Sequence, residues 1–339
     1  MAEARVSREE SRLTGQVGKT PKVYVGRTDG DLKDALSESF DYVGLSEVLS
    51  KSRRIFLKPN FTFPRPVEGV TTSREILQTA LSLLVEMGAE VFVGESNGGY
   101  GSFTAEEAFR GQGLYEICRQ TGAHPLNLSK METQEYTRII GGREVSVRLP
   151  RFLVDNVDMS ISMPVLKVHA MTTVSLSIKN LWGCYPTDLR LLEHRELDRK
   201  LALIRDLINA RFGIVDATYA LDEHGPMDGK AREIGKFITS DELLALDIAC
   251  ARMMGFTPQK INHLQNLSAF IPHSAETLTP QSNVDLSGIN WRFKIRRNFI
   301  DSLSFACFHN NLLAKIVFDS PLTRPIYATL GRKPRRKLA

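Results

Sequence analysis

The sequence predicts an α/β protein with a parallel sheet in a three-layer architecture. Short apolar runs alternate with helical periodicities, most clearly as strand, helix, strand between Arg54 and Gly94. The apolar runs end in chemistry-bearing loops, Lys58-Pro59-Asn60 and Glu95-Ser96-Asn97, and parallel α/β sheets bind ligands at the carboxyl ends of their strands. The 339 residues are 42% hydrophobic and 24% charged. These are globular values, sufficient for one large domain or two ordinary ones.

Residues 1–20 are polar and read as a disordered N-terminus. Lys22 to Gly26 is a short strand, and Asp31 to Leu49 a helix with Leu32, Ala35, Leu36 and Phe40 at helical spacing. Arg54 to Leu57 is a buried strand. Thr72 or Ser73 caps a helix that runs to Met87 and closes at Gly88. Glu90 to Gly94 is a strand that enters the loop Glu95 to Gly99. A helix covers Ala105 to Gly122, and a polar hairpin turns at Gly141-Gly142 within 136–149. Asp158 to Ser162 is a strand that delivers Pro164 and Lys167. Two helices flank Gly183, Gly213 to Ala217 is a strand, and Ser240 or Asp241 caps a helix to Met254. The α/β domain therefore spans 21–257, as one body or as two lobes near 21–150 and 151–257 with the site between them. An extension follows at 258–330: Gln259 to Gly288 is polar and irregular, and Asn298 to Phe318 has helical spacing.

The net charge of +5 owes much to a basic tail at 331–339, with the cluster Arg332-Lys333-Pro334-Arg335-Arg336-Lys337. It reads either as a solvated end or as a contact for an anionic membrane, an acidic protein or nucleic acid. Cys118, Cys184, Cys250 and Cys307 are far apart, without the spacing of a metal knuckle. A disulfide framework is not expected in a chain of this size, and the cytoplasm is the expected compartment. The start of the chain lacks an apolar run of signal length, and no run approaches the roughly 18 apolar residues of a membrane span. Self-association into a homo-oligomer stays open.

The chemistry concentrates between Met163 and His194, where Lys167, His169, Lys179 and His194 fall within an apolar-rich segment. A lysine in apolar surroundings loses basicity and becomes a base or nucleophile, and histidine shuttles protons near neutral pH. Lys167 and His169 are two apart, so an extended chain places them on one face. Lys58, Asn60, Arg65, Thr71 and Thr72 form a set that can hold a carboxylate or phosphate, with the threonines at the positive end of a helix. Ser96, Asn97 and Asn180 join them as candidate substrate contacts. Glu95 is the candidate acid, beside glycines that let the backbone approach a ligand. The glycines lack the full dinucleotide spacing, so no nicotinamide site is expected. Asp247 falls on an apolar side of its helix, which capping does not explain.

Taken in order, Lys58-Pro59-Asn60, Thr71-Thr72, Pro164 to His169, Lys179-Asn180-Leu181-Trp182-Gly183, His194, Asp216-Ala217, Gly225-Pro226 and Ser240-Asp241 to Asp247 resemble the domain of unknown function 362 family. The resemblance covers roughly residues 53 to 256. Many members carry a ferredoxin-like cysteine segment, which this chain lacks, so no iron–sulfur cluster is expected. The series His169, Lys179, His194 is also similar to nickel-pincer lactate racemases. That similarity implies His169 as acid/base, Lys179 as the anchor of a nickel-pincer nucleotide, and His194 as a metal ligand. The glycine-rich run those enzymes place before the lysine is here Thr173-Val174-Ser175-Leu176-Ser177-Ile178. The expected function is isomerase-like or racemase-like proton transfer on a small carboxylate-bearing or carrier-bound substrate. His169, Lys167, Lys179 and Glu95 are its catalytic candidates. A redox or cofactor-holding accessory role and a non-catalytic module docking a membrane or acidic partner are the alternatives.

Overall fold

The computed structural model describes residues 19–99, 102–187, 190–271 and 279–297. The N-terminal stretch up to residue 18, the helical spacing at Asn298 to Phe318 and the basic tail lie outside the described residues.

The apolar runs form strands in chain order: β1 (Lys22–Arg27), β2 (Arg54–Pro59), β3 (Glu90–Glu95), β4 (His124–Asn127), β5 (Thr133–Ile140), β6 (Arg143–Pro150), β7 (Met159–Met163), β8 (Val165–His169), β9 (Thr173–Ser175), β10 (Ala210–Asp222), β11 (Lys230–Ser240) and β12 (Gln281–Ser282). Ten of them make one sheet in the order β12-β1-β11-β10-β7-β2-β3-β4, with β8 paired to β10 and to β9. β10, β7, β2, β3 and β4 run parallel. β11 is antiparallel to both of its neighbours. β1 lies between β12 and β11, and β2 pairs with β7, so strands from before and after residue 150 share one sheet. β5 and β6 form a separate hairpin, wider than the predicted 136–149.

Side chains of alternate residues point to opposite faces of a strand, and the core divides accordingly. Ile55, Leu57, Val91, Val93, Met159 and Ile161 pack under the helices Leu32–Tyr42, Arg74–Glu86 and Leu114–Thr121. Phe56, Phe92 and Val215 pack on the other face with the helices Leu197–Leu207 and Leu243–Met253. This is the predicted α/β fold in three layers.

Several local expectations are corrected. The helix expected from Asp31 to Leu49 breaks into Leu32–Tyr42 and Leu45–Leu49 because Gly44 turns left-handed, with φ 76°. Ala105 to Gly122 divides in the same way at Gly113, with φ 72°. Only glycine takes such angles without strain. Ser73 stands at the head of the helix Arg74–Glu86 but makes no side-chain cap; its hydroxyl instead donates to Asp216 Oδ2 at 2.6 Å. Glu242, not Ser240 or Asp241, caps the helix Leu243–Met253, accepting from the Ala245 N–H. Asp241 accepts from the Lys22 N–H at 2.7 Å and ties β1 to the end of β11. Gly183 lies inside a 3-10 turn, Leu181–Cys184, directly after the short helix Ser177–Asn180. The stretch read as irregular from Gln259 contains the helix Asn262–Phe270.

Gly94 lets β3 approach β4, since a Cβ there would stand 2.1 Å from the Leu126 carbonyl oxygen. Gly94→Ala is expected to destabilise the fold by about 1–3 kcal/mol, read as a lower urea midpoint with an unchanged slope.

Candidate functional site

β2 and β3 are adjacent and parallel, so Lys58 and Glu95 emerge side by side at their carboxyl ends. Lys58 is 1% exposed and Glu95 6%. Burial of either charge alone is unfavourable by several kcal/mol, and each is matched. The Lys58 ammonium donates to Glu95 Oε2 and, at 2.7 Å, to the Pro59 carbonyl. Glu95 also accepts from the Ser96 N–H at 3.0 Å and the Phe61 N–H at 3.4 Å. Gly183 lies over the pair: a Cβ there would fall 2.4 Å from Glu95 Oε1 and 2.8 Å from Lys58 Nζ.

Lys167 and His169 leave β8 on the same side, as their spacing predicts. Lys167 Nζ donates to Asn60 Oδ1 at 3.0 Å, the Val70 carbonyl at 3.0 Å and Thr62 Oγ1 at 3.4 Å. Burial, with Lys179 and Lys58 nearby, pushes its pKa down to about 7, while three acceptors in place favour the fully protonated form. Asn180 binds the Lys58 carbonyl and Ser162 Oγ through Nδ2 and accepts from Asn60 Nδ2 at 3.1 Å. His169 Nδ1 accepts from the Met171 N–H at 3.1 Å. Burial first, then Lys179, His194 and Lys167, hold its pKa well below the ordinary value. The ring is therefore neutral at pH 7 with its proton on Nε2.

Lys179 sits on the helix Ser177–Asn180, whose start is fixed from outside. Asp247, buried on the helix Leu243–Met253, accepts from the Ser177 N–H at 2.8 Å, Ser177 Oγ at 2.5 Å and the Ile178 N–H at 3.1 Å. This accounts for an acid on an apolar helix side. Burial raises the Asp247 carboxyl to about 6 against these hydrogen bonds. Lys179 is 9% exposed. Burial lowers its ammonium to about 8, with Asp198 opposing the shift. Its Nζ has no hydrogen-bond or ion-pair partner among the described residues.

These groups surround one cavity of about 170 Å³. Of the predicted residues, Lys58, Asn60, Glu95, Ser96, Asn97, Lys167, His169, Lys179 and Asn180 line it. Thr71, Thr72 and His194 do not. The Thr71 hydroxyl accepts from the Val67 N–H, and Thr72 links the Asn60 N–H to the Met163 carbonyl. The helix end they were expected to offer to an anion is occupied by Asp216, which accepts from the Ser73 N–H at 2.7 Å. His194 stands edge-on to Trp182, with ring centroids 5.8 Å apart. Asn97 accepts from the Ala105 N–H at 2.9 Å and so orders its own loop.

Arg190, Trp182 and Thr62 also line the cavity, and sequence reasoning did not assign them roles. Arg190 Nη1 reaches Ser96 Oγ and the Asn97 carbonyl, both at 3.1 Å. No local signal distinguishes Arg190 from other surface arginines. Trp182 and Gly183 fall in the string Lys179 to Gly183, but the reason for the glycine is visible only beside Lys58 and Glu95. Among the described residues, no group of three or more His, Cys, Asp or Glu side chains converges as a metal site.

An α/β protein with buried lysines and a histidine at the carboxyl ends of its strands is the class that fold and site define. Residues 55–252 match the model of the domain of unknown function (DUF362), and the chain belongs to that family. It is 27% identical over 267 residues to a thylakoid-associated protein of Synechocystis sp., covering 74% of this chain and 78% of that one. A crystal structure of a Thermotoga maritima protein aligns with 57% of this chain and 53% of its own at 16% identity, with a TM-score of 0.33. That likeness is too slight to bear on fold or function.

Two variants are expected to move stability in opposite directions. Lys179→Met removes a group whose buried charge is unfavourable at pH 7, adding about 1–3 kcal/mol. The folded-state pKa lies below the unfolded one, so this gain is present in full below about 8 and fades as pH rises towards 10.5. Asp247→Ala leaves two buried N–H groups without an acceptor and is expected to lose about 2 kcal/mol or more. Urea unfolding of each variant at neutral and alkaline pH checks both.

Proposed function

We propose that this chain is an enzyme that moves a proton at the carbon beside a carboxylate, as an isomerase or racemase does. The supporting observation is that a buried amine, Lys179, with no partner among the described residues, and a neutral, half-buried imidazole, His169, line the same cavity. The positive field of Lys167 and Arg190 favours an anionic substrate. Lys179, in its neutral form, is the base. The Nε2–H of His169 and the ammonium of Lys167 face the negative charge that develops on the carboxylate oxygens, a preorganised stabilisation. Glu95, the only acid lining the cavity among the described residues, is already paired with Lys58 and has no proton to give, so the Lys179 ammonium formed by the abstraction returns it. The base is thus Lys179 and not His169, whose Nδ1 is already engaged.

A second reading makes Lys179 the covalent anchor of a cofactor, favoured by the same unpartnered amine. Intact-mass measurement of the native protein separates the two, since a resident cofactor adds mass at Lys179. The thylakoid association in the name of the Synechocystis relative, with the basic cluster Arg332 to Lys337, supports a peripheral contact with an anionic surface. No described helix is long and apolar enough to cross a membrane.

The test is hydrogen exchange in D2O with a panel of small 2-hydroxy and 2-amino carboxylates, followed by loss of the α-proton NMR signal. Wild-type exchange is expected to rise with pH through about 8 as Lys179 loses its proton. Lys179→Ala and His169→Gln are each expected to slow it by about 100-fold or more. Undiminished exchange in Lys179→Ala would sink the assignment.

A further inference from the structure

We propose that Lys179 forms an imine with a small 2-oxo acid bound in the cavity. The inference rests on the reading of this cavity as a site for small carboxylates. It goes further by making the lysine a nucleophile towards a carbonyl.

The three lysines that line the cavity differ in what their ammonium groups touch. Lys58 is held by Glu95 and the Pro59 carbonyl. Lys167 is held by Asn60, Thr62 and the Val70 carbonyl. Lys179 alone has no such partner among the described residues, so nothing must be broken for its nitrogen to bond to carbon. Its backbone is immobilised, because Asp247 grips the two residues before it. A nucleophile on a fixed backbone beside a bound carbonyl gains the advantage of a preset approach. Lys167 and Arg190 in the same lining attract the carboxylate of the acid, and the His169 Nε2–H can hydrogen-bond the carbonyl oxygen. The volume of about 170 Å³ suits an acid of a few carbons. Burial also brings Lys179 to about 8, which leaves a usable neutral fraction near neutral pH.

In the step itself the Nζ lone pair forms a bond to the carbonyl carbon. The carbon–oxygen double bond opens, and the two amine protons leave with the oxygen as water. No oxidant or reductant is consumed. The imine withdraws electrons from the neighbouring carbon and so acidifies its proton.

Reductive trapping tests the proposal without any need for turnover. The full-length protein is incubated near pH 8 with sodium cyanoborohydride and, separately, pyruvate, 2-oxobutyrate or 2-oxoglutarate, then measured by intact mass and peptide mapping. At least one acid is expected to add its own mass less one oxygen atom, mapped to Lys179 of the wild-type chain and lost in Lys179→Arg. No adduct with any of the three, or an adduct mapped to another lysine, would overturn the proposal. The mapping uses the wild-type protein, so the result stands even if the variant folds poorly. Trapping without D2O exchange retains the imine and removes the proton-transfer reading. Exchange without trapping does the reverse.

Discussion

The ion pair between Lys58 and Glu95 is the interaction on which the site depends. Adjacent parallel strands bring the two residues together at their carboxyl ends, and both are almost fully buried. Removing one partner of such a pair strands the other charge, a loss of about 3–5 kcal/mol. The pair also organises its surroundings. Glu95 holds the first residues of two loops through the Phe61 and Ser96 N–H groups. The glycine above it lets the Leu181–Cys184 turn close down, and Ser96 Oγ then donates to the Gly183 carbonyl at 2.7 Å. Three segments distant in sequence thus meet around one neutralised pair.

With that pair neutralised, the remaining cations set the character of the cavity. Lys167 is bound to three oxygens, which hold its ammonium in place. Lys179 is buried too but has no such oxygens among the described residues, so its nitrogen has no hydrogen bond to give up when it reacts. His169 is kept neutral by burial and by the lysines around it. One residue type therefore takes three chemical roles through differences in hydrogen bonding, and the strand-end geometry decides which lysine receives which surroundings.

The fold was legible because buried parallel strands read as short apolar runs and the helices between them keep their period. What the period could not reveal was where a helix breaks. Gly44 and Gly113 look like tolerated interior glycines until the backbone turns left-handed at each. Of the nine predicted residues that reach the cavity, seven lie at or just after strand ends or two apart along an extended chain, and Lys179 and Asn180 are carried in by the short helix Ser177–Asn180. Thr71 and Thr72 lie off the cavity lining because a hydroxyl at a helix start serves equally well for anion binding and for loop closure. The choice was made by Asp216, on β10, which already fills that helix end. Arg190 and the need for glycine at 183 depend on contacts across about a hundred residues, which no local pattern encodes.

The edge of the sheet has a bearing on what the family match means as a physical unit. The matched segment begins at residue 55 and ends at 252, yet β1 lies outside it and covers the free side of β11 through five register pairs. Val23 and Tyr24 of β1 are themselves part of the core. A fragment trimmed to the matched segment would keep every cavity lysine but present β11 as a bare edge, open to pairing with another chain. The boundary of recognisable ancestry and the boundary of a self-contained folding unit therefore fall at different places in this protein.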